Sequence, residues 1–250
     1  MKRQSIIFII SAIVIGIFSS ILSYKGNPIN TGICISCFIE NYAGALKLHK
    51  NIYMQYLRPE ITFIILGSFL SSIFRKEFQP RVSFSIIYSF FGGFFMIIGS
   101  AIFIGCPIKM LLRLAGGDLN AISGIVGLVS GVYLGTYFLK KGIDTSLFTI
   151  KKLKKSFSSY FLIAFVIIIF IVSLVFPGLF SESISGAGAE RAPIVLTIIL
   201  SLIIGFISQI SRFCVTGATR NSIILKDFTG ILALLSLVLF AFITNVFLGR

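Results

Sequence analysis

The sequence predicts an all-α integral membrane protein, an inverted-repeat bundle of about seven transmembrane helices with short re-entrant helices. Three observations predict it. Hydrophobic residues make up 56% of the 250, charged residues only 12%, and the mean hydropathy is +1.03, which is not the balance of a soluble domain. The charges fall between long uncharged runs. Two windows of the chain also resemble each other at a fixed offset. The 22 Lys+Arg against 8 Asp+Glu leave a net charge of +14, which on a soluble protein would suggest nucleic acid. Here no amphipathic face with interleaved aromatics carries those charges, so nucleic-acid binding is set aside.

Runs without Asp, Glu, Lys or Arg that are long enough to cross about 30 Å of hydrocarbon define the elements in order. They are Ser5–Tyr24, Val82–Gly105, Leu119–Leu139, Ser159–Phe180, Ala192–Ser211 and Phe228–Gly249. Ser5–Tyr24 follows Met1-Lys2-Arg3 and imitates a signal peptide, but it runs for 20 residues and more spans follow, so it reads as an uncleaved first helix. A seventh run, Ile61–Phe74, has 14 residues and is too short alone. A helix starting near Asn51 would lengthen it and carry Arg58, Pro59 and Glu60 to membrane depth, where Arg58 and Glu60 can neutralise one another. The basic loops at Lys2 and Arg3, at Arg75, Lys76 and Arg81, and from Lys140 to Lys155 place the N-terminus in the cytoplasm. Ser181–Ala192, with Glu182 and Glu190, then falls outside, as do Lys47, Lys50 and Arg58 against the rule. A Lys-rich linker, 141–158, divides a first transmembrane repeat, 1–140, from a second, 159–250.

Residues 26–46, 105–118 and 211–226 are too polar and Gly-rich to cross, yet too apolar for ordinary loops. They read as re-entrant segments lining a path, or as interfacial loops. Gly32–Asn41 laid over Arg212–Asn221, at an offset of 180, matches Cys34 with Cys214 and Asn41 with Asn221. Ile35/Val215 and Ser36/Thr216 are conservative pairs. The first window enters from outside and the second from the cytoplasm, the inverted repeat of transporter-like folds. Cys106 follows Cys34 by 72 residues, and the same spacing from Cys214 falls beyond Arg250. The expectation is a missing fourth junction, left out by truncation or completed by a second copy in a homodimer.

Pro107 is pre-organised for the first turn of a helix, whose free N–H groups favour an anion or thiolate at Cys106. Lys109 and Arg113 share one face at i, i+4 and form an anion funnel, unless Cys106 is a small buried hydrophobe and both cations snorkel to headgroups. Cys34-Ile35-Ser36-Cys37 is a C-x-x-C, which elsewhere marks a redox pair or half a zinc site. Zinc needs two more ligands, and His49, the only histidine, has no partner at ligand spacing, so neither metal nor cofactor is expected. In Gly26-Asn27-Pro28-Ile29-Asn30 the Asn side chains can cap exposed N–H groups or shape a turn. Gly116-Gly117-Asp118 ends the helix after Cys106. Gly127, Gly131 and Gly135 form a stripe that lets another helix approach. No G-x-x-x-x-G-K-[ST] occurs, so passage of a solute would be passive or ion-coupled.

Gly26-Asn27-Pro28 through Cys34-Ile35-Ser36-Cys37, Gly105-Cys106-Pro107 through Gly116-Gly117-Asp118, and Arg212-Phe213-Cys214-Val215-Thr216-Gly217 together resemble the YeeE/YedE membrane protein family, nearest its YedE-type selenium transporters. The resemblance implies inverted repeats with cysteines along a narrow path in a bacterial-type inner membrane. Thiosulfate-uptake members are thought to pass the anion between thiols by S–H···S hydrogen bonds, which assigns relay roles to Cys34, Cys106 and Cys214. Cys37 joins them on the path, with Lys109, Arg113, Arg212 and Asn27 as anion guides. The chain departs from the family at Glu40-Asn41, where Arg-Asp is common, and at Ser211, where Gly precedes Arg-Phe-Cys. The second Gly-Cys-Pro-like motif of full-length relatives is missing. The expected function is a permease, not an enzyme, for a small selenium- or sulphur-containing anion. The alternatives are a membrane thiol oxidoreductase using Cys34 and Cys37, and a subunit delivering selenium or sulphur to a cytoplasmic sulphurtransferase at the 140–155 loop.

Overall fold

The computed structural model describes residues 2–79, 81–83, 86–103, 105–142, 150–152 and 157–249. Among them the helices are α1 (Lys2–Tyr24), α2 (Ile35–Ala45), α3 (Pro59–Phe74), α4 (Ile86–Phe103), α5 (Pro107–Ala115), α6 (Ala121–Lys140), α7 (Phe157–Val175), α8 (Ile194–Ser211), α9 (Val215–Leu225) and α10 (Thr229–Phe247). Two three-residue strands, β1 (Arg81–Ser83) and β2 (Ile150–Lys152), pair antiparallel with Arg81 opposite Lys152, a link the sequence does not predict. Most of the Lys-rich linker 141–158 lies outside the described residues.

Among the described residues, five segments are long and apolar enough to cross a membrane: Gln4–Tyr24, Ile86–Ala115, Ala121–Lys140, Ile194–Leu225 and Thr229–Phe247. Pro59–Phe74 and Tyr160–Val175 are apolar but shorter. Apart from that short strand pair, the chain is a helical, multi-pass membrane protein. Two boundaries correct the sequence reading. The stretch Ser159–Phe180 is not one continuous helix, because Phe176 precedes Pro177 and the proline ring drives it to φ −126°, ψ 68°. The α3 helix does not start near Asn51. Pro59 occupies its first turn and holds Arg58 extended at φ −63°, ψ 113°, so the chain from Asn51 to Leu57 approaches without helix.

The core forms where α3 packs along α8 and α1 along α10, with α1 also against α8. Exchanging α1 with α8, α2 with α9 and α3 with α10 maps the first of these pairs onto the second. Glycine makes both approaches close. A Cβ on Gly16 of α1 would lie 2.6 Å from the Leu237 carbonyl oxygen of α10, and one on Gly205 of α8 would collide with the Ile64 carbonyl of α3. The stripe Gly127, Gly131 and Gly135 on α6 does not serve this way. A Cβ at any of the three meets no described atom within 4 Å, so no described helix of the chain packs there.

Candidate functional site

All three cysteine junctions resolve into the same device. Cys34, Cys106 and Cys214 are the extended N-cap residues of α2, α5 and α9, so each thiol sits where a helix presents unpaired backbone N–H groups. The helices α2 and α9 each span 11 residues, and both ends are displaced by the 180-residue offset that aligns Cys34 with Cys214.

Two of these N-termini meet. The Cys34 and Cys106 side chains are in polar contact. The backbone N–H groups of Ile35 and Lys109 lie near the Cys106 side chain and that of Cys106 near the Cys34 side chain, though neither thiol closes a hydrogen bond on its own helix cap. On its other side Cys34 Sγ lies 3.0 Å from Cys37 Sγ and 3.4 Å from the Ser36 hydroxyl. Lys109 Nζ reaches to 3.5 Å from Cys37 Sγ. The glycine of Gly105-Cys106-Pro107 permits that reach, since a Cβ there would lie 2.6 Å from Lys109 Cδ. All four cysteines are free thiols. Two helix N-termini and one ammonium thus converge on three thiols, an arrangement that attracts a small anion and offers it weak sulphur donors.

Cys37 and Lys109 open onto a cleft of about 710 Å³ bounded by α2, the end of α4, Pro28, Thr31, His49, Met54 and Ala187. Cys34 and Cys106 lie buried behind them. A second cleft, of about 650 Å³, is formed by the start of α1, the end of α8, α9 and the start of α10, and contains Arg212, Cys214, Arg220 and Asp227. The first cleft adjoins the end of α1 and the start of α8, the second the reverse. The clefts therefore occupy opposite ends of the bundle, and the triplets α1–α3 and α8–α10 run in opposite senses.

A family model described as sulphur transport matches residues 1–134, more than half of the chain. The chain belongs to the sulphur-transport, YeeE/YedE family. No curated protein and no solved structure matches it. The family read from the cysteine motifs is thereby shown, without its selenium branch, and the protein is a membrane protein of sulphur transport.

The remaining sequence-predicted residues of this YeeE/YedE protein are dispersed. Arg113 pairs with Asp118 at 2.6 Å and donates to the Phe103 carbonyl at 3.1 Å, so its charge is matched away from the thiols. Its guanidinium holds the Asp118 carboxyl below the usual carboxylate range, which keeps the pair charged at neutral pH. Asn27 is fully committed: Nδ2 donates to Glu60 Oε1 and the Gly32 carbonyl, while Oδ1 accepts from Arg58 and from the Ala192 backbone N–H. An amide has no further capacity, so Asn27 fastens the unwound stretch between α1 and α2 rather than presenting a donor to an anion. Arg212 is 79% exposed, terminates α8 in the left-handed region at φ 54°, and faces Glu77 at 3.9 Å. It stands beside Cys214, whose Sγ accepts from the Gly217 N–H at 3.3 Å. Arg220 in the same cleft is not singled out by the sequence reading, and its position in the second turn of a Cys-capped helix is the available signal. Asp227, between α9 and α10, is kept below its usual range by hydrogen bonds from Thr229 and stays anionic in that cleft.

Proposed function

We propose that the protein is a permease for a small sulphur- or selenium-containing anion, passed along thiols. Lys109 and Cys37 receive the anion from the first cleft, Cys34 and Cys106 carry it through the buried constriction, and Cys214 releases it into the second cleft beside Arg212 and Arg220. The observation that carries this reading is the convergence of two Cys-capped helix N-termini with Lys109 on one thiol cluster. Neutral thiols hydrogen-bond weakly, which suits a site that must release what it binds. With the N-terminus in the cytoplasm of a bacterial-type inner membrane, the first cleft faces outward and the second inward. The two transmembrane halves, 1–140 and 159–250, then enclose the path between them.

Uptake of labelled thiosulfate and selenite into proteoliposomes containing the wild type or Cys106→Ser tests the relay. The substitution should lower uptake more than tenfold, and unchanged uptake rejects a role for the thiol. Cross-competition between thiosulfate, selenite and sulphite in the same assay identifies the anion. One observation favours a second reading, a thiol oxidoreductase: the Cys34 and Cys37 sulphurs are 3.0 Å apart at a helix N-terminus. Thiol trapping in native membranes separates the two, because a relay needs free thiols and a redox enzyme shows an interconverting disulfide.

A further inference from the structure

The permease reading leaves one costly feature unused, a buried ion pair beside the first cleft. The side chains of Arg58 and Glu60 are 0% and 1% exposed, and Arg58 Nη1 stands 3.9 Å from Glu60 Oε1, too far for a close charge-assisted hydrogen bond. Asn27 bridges the gap, donating to Glu60 Oε1 at 2.7 Å and accepting from Arg58 Nη1 at 3.4 Å. Arg58 Nη2 donates to the Ala187 carbonyl. Among the described residues, Arg58 Nε and Glu60 Oε2 have no hydrogen-bond partner, although both are buried. Half-satisfied charges inside a membrane protein call for a function.

Position supplies one. The Arg58 guanidinium lies 4.8 Å from the centre of the Phe38 ring, and Phe38 and Ala187 both line the first cleft beside Cys37 and Lys109. Arg58 is thus one side chain behind the cleft wall, with Glu60 next to it. Among the described residues, the cation at the thiol cluster is Lys109 alone, which leaves one charge of a divalent anion unmatched. Arg113 is matched by Asp118, and Arg191 by Glu182 at 2.8 Å. Arg58 differs, because the carboxylate that holds it is loosely placed and has an unpartnered oxygen where a proton can sit.

We propose that Glu60 is a proton-binding site coupled to the anion: when a divalent sulphur-type anion occupies the first cleft, Glu60 Oε2 takes up one proton and the charge of Arg58 passes to the anion. This rests on the permease reading and makes it a proton-coupled one. The proton is drawn from the buffered solution that fills the cleft, with the conjugate base left in bulk, and no bond of the anion changes. The groups facing the pair are Asn27 from the stretch after α1, Phe38 from α2, Tyr56 from the approach to α3, and Ala187, Glu190 and Arg191 from the approach to α8. Arg191 also lies over the Tyr56 ring at 4.4 Å, while its guanidinium is held by Glu182, so its charge stays matched as Glu60 titrates. Linkage is reciprocal: if anion binding raises proton binding, a falling pH strengthens anion binding, by up to about tenfold per pH unit while Glu60 titrates.

The test uses the purified full chain in detergent with thiosulfate as probe, titrated by calorimetry in buffers of different ionisation enthalpy. The wild type should take up close to one proton per thiosulfate bound. Glu60→Gln, which keeps an acceptor for Asn27 and mimics the protonated acid, should take up none and bind with a pH-independent Kd. Thiosulfate binding to the wild type without proton uptake overturns the proton site and leaves the permease reading standing. No binding of thiosulfate or selenite overturns both. If the variant does not fold, infrared difference spectra of the wild type decide: a protonated-carboxyl band should appear on adding thiosulfate, and its absence rejects the proposal.

Discussion

The Cys34 and Cys214 junctions are built from the same local parts and end in opposite states. Each has an extended cysteine capping an 11-residue helix, and each helix packs against the apolar helix that follows it, α3 or α10. Yet Cys34 is buried and Cys214 exposed. The difference lies in what faces them. A second Cys-capped helix, α5, meets α2 end to end and brings Lys109 with it, whereas the Cys214 thiol opens onto a cleft whose cations, Arg212 and Arg220, sit at the rim in solvent. One motif thus supplies both a constriction and a vestibule, and only the partner helix distinguishes them.

Three experiments would break or sharpen that contrast. The largest effect is expected from Cys34→Ser, which removes the sulphur that touches both Cys37 and Cys106 and should lower proteoliposome uptake of thiosulfate more than tenfold. Cys214→Ser should cost clearly less, and equal losses would mean the junctions are equivalent despite their surroundings. Next comes reactivity. A polar maleimide should label Cys214 in the folded protein at least about tenfold faster than Cys34 or Cys106, whose exposure requires local opening; mass spectrometry after timed quenching reads the ratio. The smallest difference concerns charge. Lys109→Met should raise the KM for thiosulfate about three- to tenfold, since a charge-assisted contact contributes roughly 1 kcal/mol or more. Arg212→Met, at an exposed and screened position, should change it less than twofold. A larger effect at Arg212 would shift the anion's main binding step to the second cleft.

Much of this was legible in sequence because membrane helices obey length and charge rules that act locally. The uncharged runs located α1, α6, α8 and α10 to within a few residues, and the offset of 180 aligned α2 with α9 before any packing was known. Proline located the exceptions only once the backbone was seen: Pro59 starts α3 late and Pro177 keeps Phe176 out of α7. Side-chain partners were harder. Arg113 and Lys109 share a helix face, but Asp118, brought back by the turn at Gly117 (φ 83°), claims the arginine and leaves the lysine to Cys37. Asn27 is indistinguishable in sequence from a free polar guide, and only the folded chain places Glu60, Arg58 and Ala192 around it.

By itself, then, the sequence determined the class of molecule, its apolar helices and the cysteines at helix starts, because hydropathy, proline and cap geometry depend on neighbouring residues. The tertiary structure decided which cysteines touch, which cations remain available and that a buried Arg58–Glu60 pair stands behind the cleft. Those depend on contacts between residues distant in the chain, which local pattern does not encode.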